Sequence, residues 1–292
     1  MLHLLILEER LVPSTLQVGP GAFSTIQAAV NAASPGDTVL VAHGTYREDV
    51  VIDKPLNLIG QPETVATSPP QNPFLVGPGG AAGTERVLTI LNTSGSVLVQ
   101  NFAIGDSHGS QLNQIGVWIG GVNDTLDHSV VRKVRDPSAV PAGVGAPQTV
   151  GIEIAGAQNA TISFTSIYEV HNPPNGGAAF GIKVADSDGV LIHHCYAKNI
   201  DTANPGAGGS VGLAILDSTN VVLTEFATEQ LSADDIGIYI DNSMVTMDHV
   251  KVYGVSVGLR VDGPSAVDGI DSYFINNAVD EIIDPLAMVN IS

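Results

Sequence analysis

The chain has 292 residues, with 11 Lys and Arg against 30 Asp and Glu and a formal charge of −19. This excess of acid argues against nucleic acids and anionic membranes as partners, because both are bound by basic surfaces. No run of 18 apolar residues occurs, so no segment is predicted to insert in a membrane. The single cysteine, Cys195, excludes an intramolecular disulfide, and its position in a strand repeat predicts a buried side chain.

The chain begins with a short segment that we separate from the rest. Residues 1–7 are too few, and lack the cationic start, to be a signal peptide. Residues 7–13 (LEERLVP) resemble the N-terminal segment of some large exported bacterial surface proteins, which implies an extracellular or cell-surface location. We therefore predict that residues 1–17 are a remnant of an export region.

A short helix is predicted next. Ser24 is a suitable N-cap, and the apolar residues at 26, 29, 30 and 33 share one helical face. Ser34-Pro35-Gly36-Asp37 ends this helix. Alternating apolar residues then predict strands at 38–42, 50–52 and 56–60, and residues 61–86 are predicted to leave this regular structure.

From residue 87 onward one short phrase recurs. It reads Gly-Ile-Lys-Val at 181–184, where one variable residue stands between apolar neighbours, and this period of two indicates a strand with one buried face. A second apolar phrase follows each copy. The leading glycines are Gly116, Gly151, Gly181, Gly212, Gly237 and Gly258, so spacing varies while the strands persist. Such repeats predict stacked coils whose loops differ in length, as in a parallel β-solenoid.

Residues 23–60 (FSTIQAAVNAASPGDTVLVAHGTYREDVVIDKPLNLIG) resemble the opening of right-handed parallel β-helix repeat proteins of the pectin-lyase-like superfamily. With the later repeats, the resemblance covers roughly residues 18–280. It implies an all-β fold: one single-stranded right-handed parallel β-helix over residues 18–292, with a short N-terminal capping helix. The superfamily includes polysaccharide lyases, polygalacturonases, tailspikes and non-catalytic surface proteins, so the fold alone does not define the function.

The resemblance also implies that the first strand of each coil forms the floor of a substrate groove, because long excursions at 136–149, 172–179 and 201–210 precede that strand. The outward residue of that strand should form one column from coil to coil. We call this the outer column, and its members are Thr89, Trp118, Glu153, Lys183, Ala214, Tyr239 and Arg260. Trp118 and Tyr239 suit sugar rings, and Glu153 with Lys183 suits acid–base chemistry. The alternative is a structural ion pair between Glu153 and Lys183, with aromatic side chains that only cover the strands.

Carboxylates follow the first strand in four successive coils, at Asp186, Asp217, Asp241 and Asp262. Neighbouring coils would bring these groups together, and carboxylate oxygens are ligands that Ca²⁺ prefers. We therefore expect a calcium site here and no organic cofactor. The alternative is a set of solvated turn residues, since Asp is common in turns.

Two catalytic hypotheses follow from the resemblance. Asp234 and Asp235 resemble the paired aspartates of polygalacturonases, which act as acid and base, but the other motifs of that family are missing. In a lyase, Lys183 or Arg260 would serve as base with a cation neutralising a uronate. His171, in a loop beside the groove, is a further candidate for substrate contact or catalysis. The other histidines recur in turns, two coil rises apart, too far to share one zinc ion.

These observations predict an extracellular, carbohydrate-directed protein, with a polysaccharide as its partner and cleavage in the groove by a lyase or glycosidase. The alternative is a non-catalytic β-helix module of a bacterial surface or adhesion protein. A purely structural spacer would have no groove. No second capping helix is visible after residue 277, so any oligomer is expected to form through the C-terminal end of the solenoid.

Overall fold

The computed structural model of the chain describes residues 12–62, 72–79, 84–107, 113–135, 147–172, 177–202, 209–229 and 235–292. Apart from one helix, α1 (Ile26–Ala32), the regular structure is a succession of short strands. All strands pair in parallel, and they form three sheets along the length of the molecule. Each coil contributes a strand to each sheet in turn, so the fold is an all-β parallel solenoid, as the sequence predicts.

The first sheet holds the repeated glycine phrase. Its strands are β4 (Val50–Ile52), β7 (Glu85–Ile90), β10 (Gln114–Ile119), β13 (Thr149–Ala155), β16 (Ala179–Ala185), β19 (Ser210–Leu216), β22 (Ile236–Asp241), β25 (Val257–Asp262) and β28 (Val279–Ile283).

The second sheet follows it in each coil. Its strands are β1 (Thr15–Val18), β2 (Thr38–Val41), β5 (Leu56–Gly60), β8 (Val97–Gln100), β11 (Thr125–Asp127), β14 (Thr161–Ser163), β17 (Leu191–His193), β20 (Val221–Thr224), β23 (Met244–Asp248), β26 (Ala266–Ile270) and β29 (Met288–Ile291). The predicted domain boundary at residue 18 therefore falls inside β1.

The third sheet closes each coil. Its strands are β3 (Thr45–Arg47), β6 (Phe74–Val76), β9 (Ala103–Ser107), β12 (Val130–Arg135), β15 (Ser166–Asn172), β18 (Tyr196–Thr202), β21 (Ala227–Glu229), β24 (Lys251–Tyr253) and β27 (Tyr273–Ile275).

The core consists of aliphatic columns that run from coil to coil. Ile152, Ile182 and Leu213 are consecutive partners in the first sheet, and all three are fully buried. Each coil alone leaves such residues exposed at its two faces, and stacking at ~4.8 Å buries them against the coils above and below. Cys195 is buried in this core, as predicted, and burial raises the pKa of its thiol to about 12.

Glycine opens the recurring phrase because the coil is crowded at that position. A Cβ added at Gly151 would lie 2.6 Å from the carbonyl oxygen of Gly181 in the next coil, and also 2.6 Å from Cγ2 of Ile167. At Gly181 it would lie 2.5 Å from the carbonyl oxygen of Gly212. Any side chain would therefore force neighbouring coils apart.

Two kinds of turn join the sheets. Between the second and third sheets, one residue per coil takes positive φ, and the histidines predicted to be turn residues occupy this position, as at His128, His194 and His249. Between the first and second sheets, buried serines form a ladder: the Oγ of Ser218 accepts from the backbone N–H of Ser187 at 3.1 Å and donates to the carbonyl of Leu216 at 2.7 Å. Each coil is thus hydrogen-bonded to the next through its turns.

Helix α1 lies at the N-terminal end of the core, as predicted. Its residues Ile26, Ala29 and Val30 are fully buried. The N-cap is Thr25 rather than the predicted Ser24, since Thr25 Oγ1 accepts from the backbone N–H of Ala28 at 3.2 Å. No helix in the described part of the chain has the length and apolar character needed to cross a membrane.

Candidate functional site

The parallel register places the outer column where the repeat predicts it. Trp118 pairs with Thr89 and Glu153, Lys183 pairs with Glu153 and Ala214, and the column continues through Tyr239 to Arg260. Thr89 and Ala214 are buried, however, so the column does not present a continuous polar surface.

An apolar ridge that the sequence analysis did not single out lies beside this column. It consists of the residues that precede the repeated glycines, namely Ile115, Val150, Phe180 and Val211, which are nearly fully buried and form a cluster separate from the core. Trp118 and Tyr239 pack against the same cluster. The sequence did not indicate this ridge, because Val150 and Phe180 stand in phase with the inward residues Ile152 and Ile182 and a period of two would place them in the core.

Glu153 and Lys183 form an ion pair, as the structural alternative predicts. Lys183 Nζ lies 3.0 Å from Glu153 Oε1, and the side chains of Lys183 and Glu153 are only 17% and 14% exposed. Lys183 Nζ also donates to Gln148 Oε1 at 3.3 Å and lies 5.7 Å from the centre of the Phe180 ring. The Nζ of Lys183 is therefore fully engaged by its neighbours, and a substrate would have to displace Glu153 to reach it.

Trp118 already contacts two neighbouring residues. The guanidinium of Arg86 lies 4.5 Å from the centre of the indole ring. A Cβ added at Gly120 would lie 2.1 Å from Cη2 of Trp118, so the ring also rests against this glycine. A sugar that stacks on Trp118 would have to displace Arg86.

Tyr239, Arg260 and Asp262 form a second polar cluster near the C-terminal end of the column. Arg260 Nη2 lies 2.8 Å from Asp262 Oδ2, and the hydroxyl of Tyr239 donates to the same oxygen at 3.2 Å. The hydrogen bond to Asp262 raises the pKa of Arg260, so this residue is suited to holding an anion and not to removing a proton. Burial, reinforced by Asp241 and Asp262, raises the pKa of Tyr239 to about 12, which keeps the phenol protonated at neutral pH.

Neighbouring coils do not bring all four predicted calcium ligands together, because the strand register places them at two different positions along the coil. Asp241 pairs with Asp262 on one side but with Leu216 on the other. Asp217 lies one residue further along its coil, where its Oδ1 accepts from Asn242 Nδ2 at 2.7 Å. Asp186 occupies the equivalent position in the preceding coil, since its backbone N–H donates to the carbonyl of Leu216. The carboxylates therefore form two offset pairs, and a calcium site remains a prediction.

Of the predicted aspartate pair, only Asp235 can be placed, and it does not lie on the outer face. Asp234 lies outside the described residues. Asp235 is fully buried, and its Oδ1 accepts from the backbone N–H of Ser210 at 2.9 Å. This hydrogen bond joins two neighbouring coils, so we assign Asp235 a structural role in place of the predicted catalytic one.

His171 lies near the end of β15, at the corner where the third sheet leads back to the first, and not in a loop as predicted. Its Nδ1 lies 2.6 Å from Oδ1 of Asp201, and both side chains are partly exposed. The register sets Arg135, His171 and Asp201 side by side on three successive strands, and we call them the corner triplet. An imidazole oriented by a carboxylate beside a cation is an arrangement used for proton transfer.

The corner triplet occupies the same three coils as Trp118, Glu153 and Lys183. In chain order, each of these coils contributes one residue to the outer column and one to the corner triplet. The outer column and the corner triplet thus each place three polar or aromatic side chains in the same three coils.

The parallel sheets, the stacked aliphatic columns and the short turns define a parallel β-solenoid. A family model described as a right handed beta helix region matches residues 89–279, and the chain belongs to this family.

Individual proteins are similar to the chain in part or in fold. The F-box protein SKIP5 of Arabidopsis thaliana is 43% identical over 76 residues, and the chain spans about a quarter of the length of this curated relative, with 25% of each protein covered. An alginate lyase from Paenibacillus sp. str. FPU-7 has a TM-score of 0.51 at 13% identity, covering 96% of this chain and 98% of the lyase. The enzymatically active domain of the bacteriophage CBA120 tailspike protein 2 has a TM-score of 0.55 at 13% identity, covering 97% and 52%. Similarity at this identity shows a shared fold.

Proposed function

We propose that the chain is an extracellular or cell-surface protein that binds an acidic polysaccharide along the outer face of the first sheet and cleaves it at the corner with the third sheet. The observation that carries this proposal is the concentration of the corner triplet, Trp118, Glu153 and Lys183 in three neighbouring coils. Rigid strands hold these side chains, which suits a site that must position a substrate. The proposal is in keeping with the names of the two structural neighbours, one an alginate lyase and the other an enzymatically active tailspike domain.

The chemistry of the corner triplet favours β-elimination. In that reaction a base removes the proton on the carbon next to a uronate carboxyl, the glycosidic C–O bond breaks, and the leaving oxygen takes up a proton. His171, oriented by Asp201, is the proposed base, and Arg135 beside it neutralises the carboxylate. This assignment replaces Lys183, whose Nζ is paired with Glu153, and Arg260, which is paired with Asp262.

The outer column has a binding role in this proposal. Tyr239 offers aromatic surface, and Trp118 does so where a sugar displaces Arg86. In a chain that is strongly acidic, Lys183 and Arg260 would bind the polymer by exchanging Glu153 and Asp262 for its carboxylates. Calcium is part of the proposal only as a bridge between a uronate and the pair Asp241 and Asp262, which are adjacent in the register.

The test is a screen of the purified chain against pectate, alginate, other uronates and neutral glycans, with calcium and with a chelator. Elimination creates a carbon–carbon double bond that absorbs in the ultraviolet, whereas hydrolysis creates reducing ends without this absorbance. We expect absorbance with one uronate polymer, and its loss in His171→Gln. His128→Gln, which changes an exposed turn histidine, is the control and should remain active. Reducing ends without absorbance would rule out elimination.

A non-catalytic surface module is the second candidate. The observation in its favour is that Lys183 and Arg260 both have internal counter-ions, Glu153 and Asp262, as in a surface that is stabilised for its own sake. This candidate predicts binding or adhesion with no product from any polymer in the same screen.

A further inference from the structure

An open cleft of ≈ 470 Å³ lies on the outer face of the third sheet, beside its junction with the second sheet. It is lined by Glu225, Phe226, Ala227, His249, Lys251 and Tyr253, and we call it the third-sheet cleft. Its size lies within the range of small-ligand sites, roughly 300–1,000 Å³. It belongs to two coils on the C-terminal side of the corner triplet, on a different part of the surface, and neither the outer column nor the apolar ridge contributes to it.

The cleft exists because a small residue interrupts a column of long ones. Tyr196, Ala227, Lys251 and Tyr273 are successive partners on the third sheet. Ala227 leaves a gap between its two longer neighbours. Tyr196 does not line this gap, since its hydroxyl donates to the carboxylate of Glu229.

The side chains around the cleft are held in place by neighbours outside it. Lys198 Nζ lies 3.1 Å from Glu229 Oε1, on the same carboxylate that binds Tyr196. Glu225 Oε2 lies 3.0 Å from His194 Nε2, so the carboxylate at the rim is fixed by a residue of the preceding coil. His249 is fixed in the same way through its Nδ1, which contacts Asp248. Two of the lining side chains, Glu225 and His249, therefore have partners outside the cleft.

The lining combines an apolar floor with polar groups of both signs. The side chain of Phe226 is buried in the core beneath the cleft, so Ala227 alone provides the apolar floor. Tyr253 offers a ring and a hydroxyl, and Lys251 and Glu225 offer donors and acceptors. A sugar ring has this combination of an apolar C–H face and several hydroxyl groups. An anionic ligand is disfavoured, because three carboxylates, Glu225, Asp248 and Asp271, lie near His249 at the rim, whereas Lys251 is the only ammonium group among the lining residues.

We propose that the third-sheet cleft binds one neutral sugar residue and acts as a second, non-catalytic carbohydrate site. This proposal rests on the proposed function in one respect. The neutral sugar is taken to be part of a glycan, and that glycan also carries the acidic polymer that the corner triplet cleaves. Its role is to hold such a glycan on a face of the solenoid remote from the outer column.

The test compares variants by affinity electrophoresis in gels that contain neutral glycans, with a chelator present to exclude metal bridging. Ala227→Leu fills the cleft, and Tyr253→Ala removes its aromatic side. We expect at least fivefold weaker retention for both variants on one neutral glycan. Ser166→Leu is the matched control, because Ser166 lies in the same column next to Tyr196 but outside the cleft, and its retention should equal that of the unaltered chain. Unchanged retention of Ala227→Leu and Tyr253→Ala on every glycan, in variants with unchanged thermal unfolding, overturns the proposal.

The same variants separate this proposal from the proposed function. Retention that falls in Ala227→Leu while no polymer is cleaved supports the cleft and contradicts the enzyme. Cleavage that is lost in His171→Gln while Ala227→Leu binds normally contradicts the cleft and supports the enzyme.

Discussion

Asp124 is fully buried, and its Oδ2 has no hydrogen-bond partner among the described residues. Its Oδ1 accepts from Asn92 Nδ2 and the backbone N–H of Val97, both at 3.3 Å. Burial outweighs these hydrogen bonds and raises the pKa of Asp124 to about 6. The folded chain therefore binds a proton more tightly here than the unfolded chain does, so stability falls as the pH rises from about 4 to 6.

We predict that Asp124→Asn stabilises the chain above pH 6 and has little effect at pH 4. A rise in pKa from 3.8 to about 6 corresponds to about 3 kcal/mol, since each unit is worth about 1.4 kcal/mol. For a chain of this size that is roughly 5 °C in melting temperature. Thermal unfolding at pH 4 and pH 7.5 measures the difference.

Asp127→Asn is the control for this prediction, because its shift has the opposite sign. Burial raises the pKa of Asp127, but hydrogen bonds from Ser163, His128 and Gln100 outweigh burial and lower it overall. Asp127→Asn should therefore lower the melting temperature at pH 7.5. If both variants melt at the temperature of the unaltered chain at both pH values, the burial argument fails.

Glu153 and Lys183 allow the structural and functional roles of an ion pair to be separated. Lys183→Met alone leaves a largely buried carboxylate without its cation, and we expect a cost of about 3 kcal/mol. Glu153→Leu combined with Lys183→Met removes both charges, so most of this stability should return. Chemical unfolding of the single and double variants measures the coupling. If the double variant is as unstable as the single one, the pair does not act as a unit.

The four turn aspartates show how far the positions of single side chains can be predicted from their spacing in the sequence. Asp186 and Asp217 stand five positions after Gly181 and Gly212, whereas Asp241 and Asp262 stand four positions after their glycines. This difference in spacing predicts the two positions that the aspartates occupy along the coil. Treating all four residues as equivalent because they are all aspartates hides this difference. The contact between Arg86 and Trp118 is different, because it joins residues 32 positions apart through side-chain conformation. No pattern in the sequence indicates it.

At the scale of elements, the serine ladder joins four coils through buried hydrogen bonds. The backbone N–H groups of Ser187, Ser218 and Ser243 each donate to the Oγ of the serine in the next coil, at 3.0–3.1 Å. The ladder ends at Ser265. Each hydroxyl also donates to a carbonyl of its own coil, so the turn leaves none of these groups unsatisfied.

We predict that Ser218→Ala costs about 1–3 kcal/mol, because it leaves the buried N–H of Ser187 without its partner and removes one of the two hydrogen bonds that the carbonyl of Leu216 accepts. Thr219→Ala is the control, since its hydroxyl bonds to Asp188 on the exposed side of the same turn. We expect less than about 0.5 kcal/mol for this control. Urea unfolding measures both variants, and equal losses would show that burial of the ladder does not matter.

The period of two explains both why the strands could be predicted and why the apolar ridge was missed. A period of two identifies inward and outward residues as long as the strand is regular, and the predicted outer column has the register observed. The pairing skips the repeated glycines, as at Gly151 and Gly181, so the period breaks at that point. Val150 and Phe180 thereby join the outer face. The crowding that requires glycine is a contact between coils, which a single phrase does not reveal.

At the scale of the molecule, the two ends of the solenoid differ. Helix α1 covers the core at the N-terminal end. At the other end, β27, β28 and β29 are the last strands of their sheets in the described part of the chain. Large apolar side chains are exposed there, including Val279, Ile282, Leu286 and Met288. Unpaired strand edges and apolar surface favour association with a further β-strand.

A charged residue opposes that association. Glu281 pairs with Leu259 and occupies the inward column that is filled by Leu213, Ile238 and Leu259 in the preceding coils. A second copy stacked on this end would bury the carboxylate, and inward-pointing charge is one means of protecting a sheet edge. The last coil, residues 266–292, also has no Lys or Arg, so two such ends repel each other. Association through the C-terminal end is therefore expected only under conditions that neutralise these carboxylates.

We therefore predict that Glu281→Val makes the chain self-associate at pH 7.5, because it extends the apolar column to the open end. Sedimentation velocity over a range of concentrations measures the change, and we expect the unaltered chain to associate only below about pH 4, where Glu side chains are protonated. Asp268→Val is the matched control: Asp268 carries the same charge in the same coil but lies exposed on β26, so its removal should leave the chain monomeric. If the unaltered chain associates at pH 7.5 as strongly as Glu281→Val does, the carboxylate is no barrier, and the open end is an assembly surface as it stands.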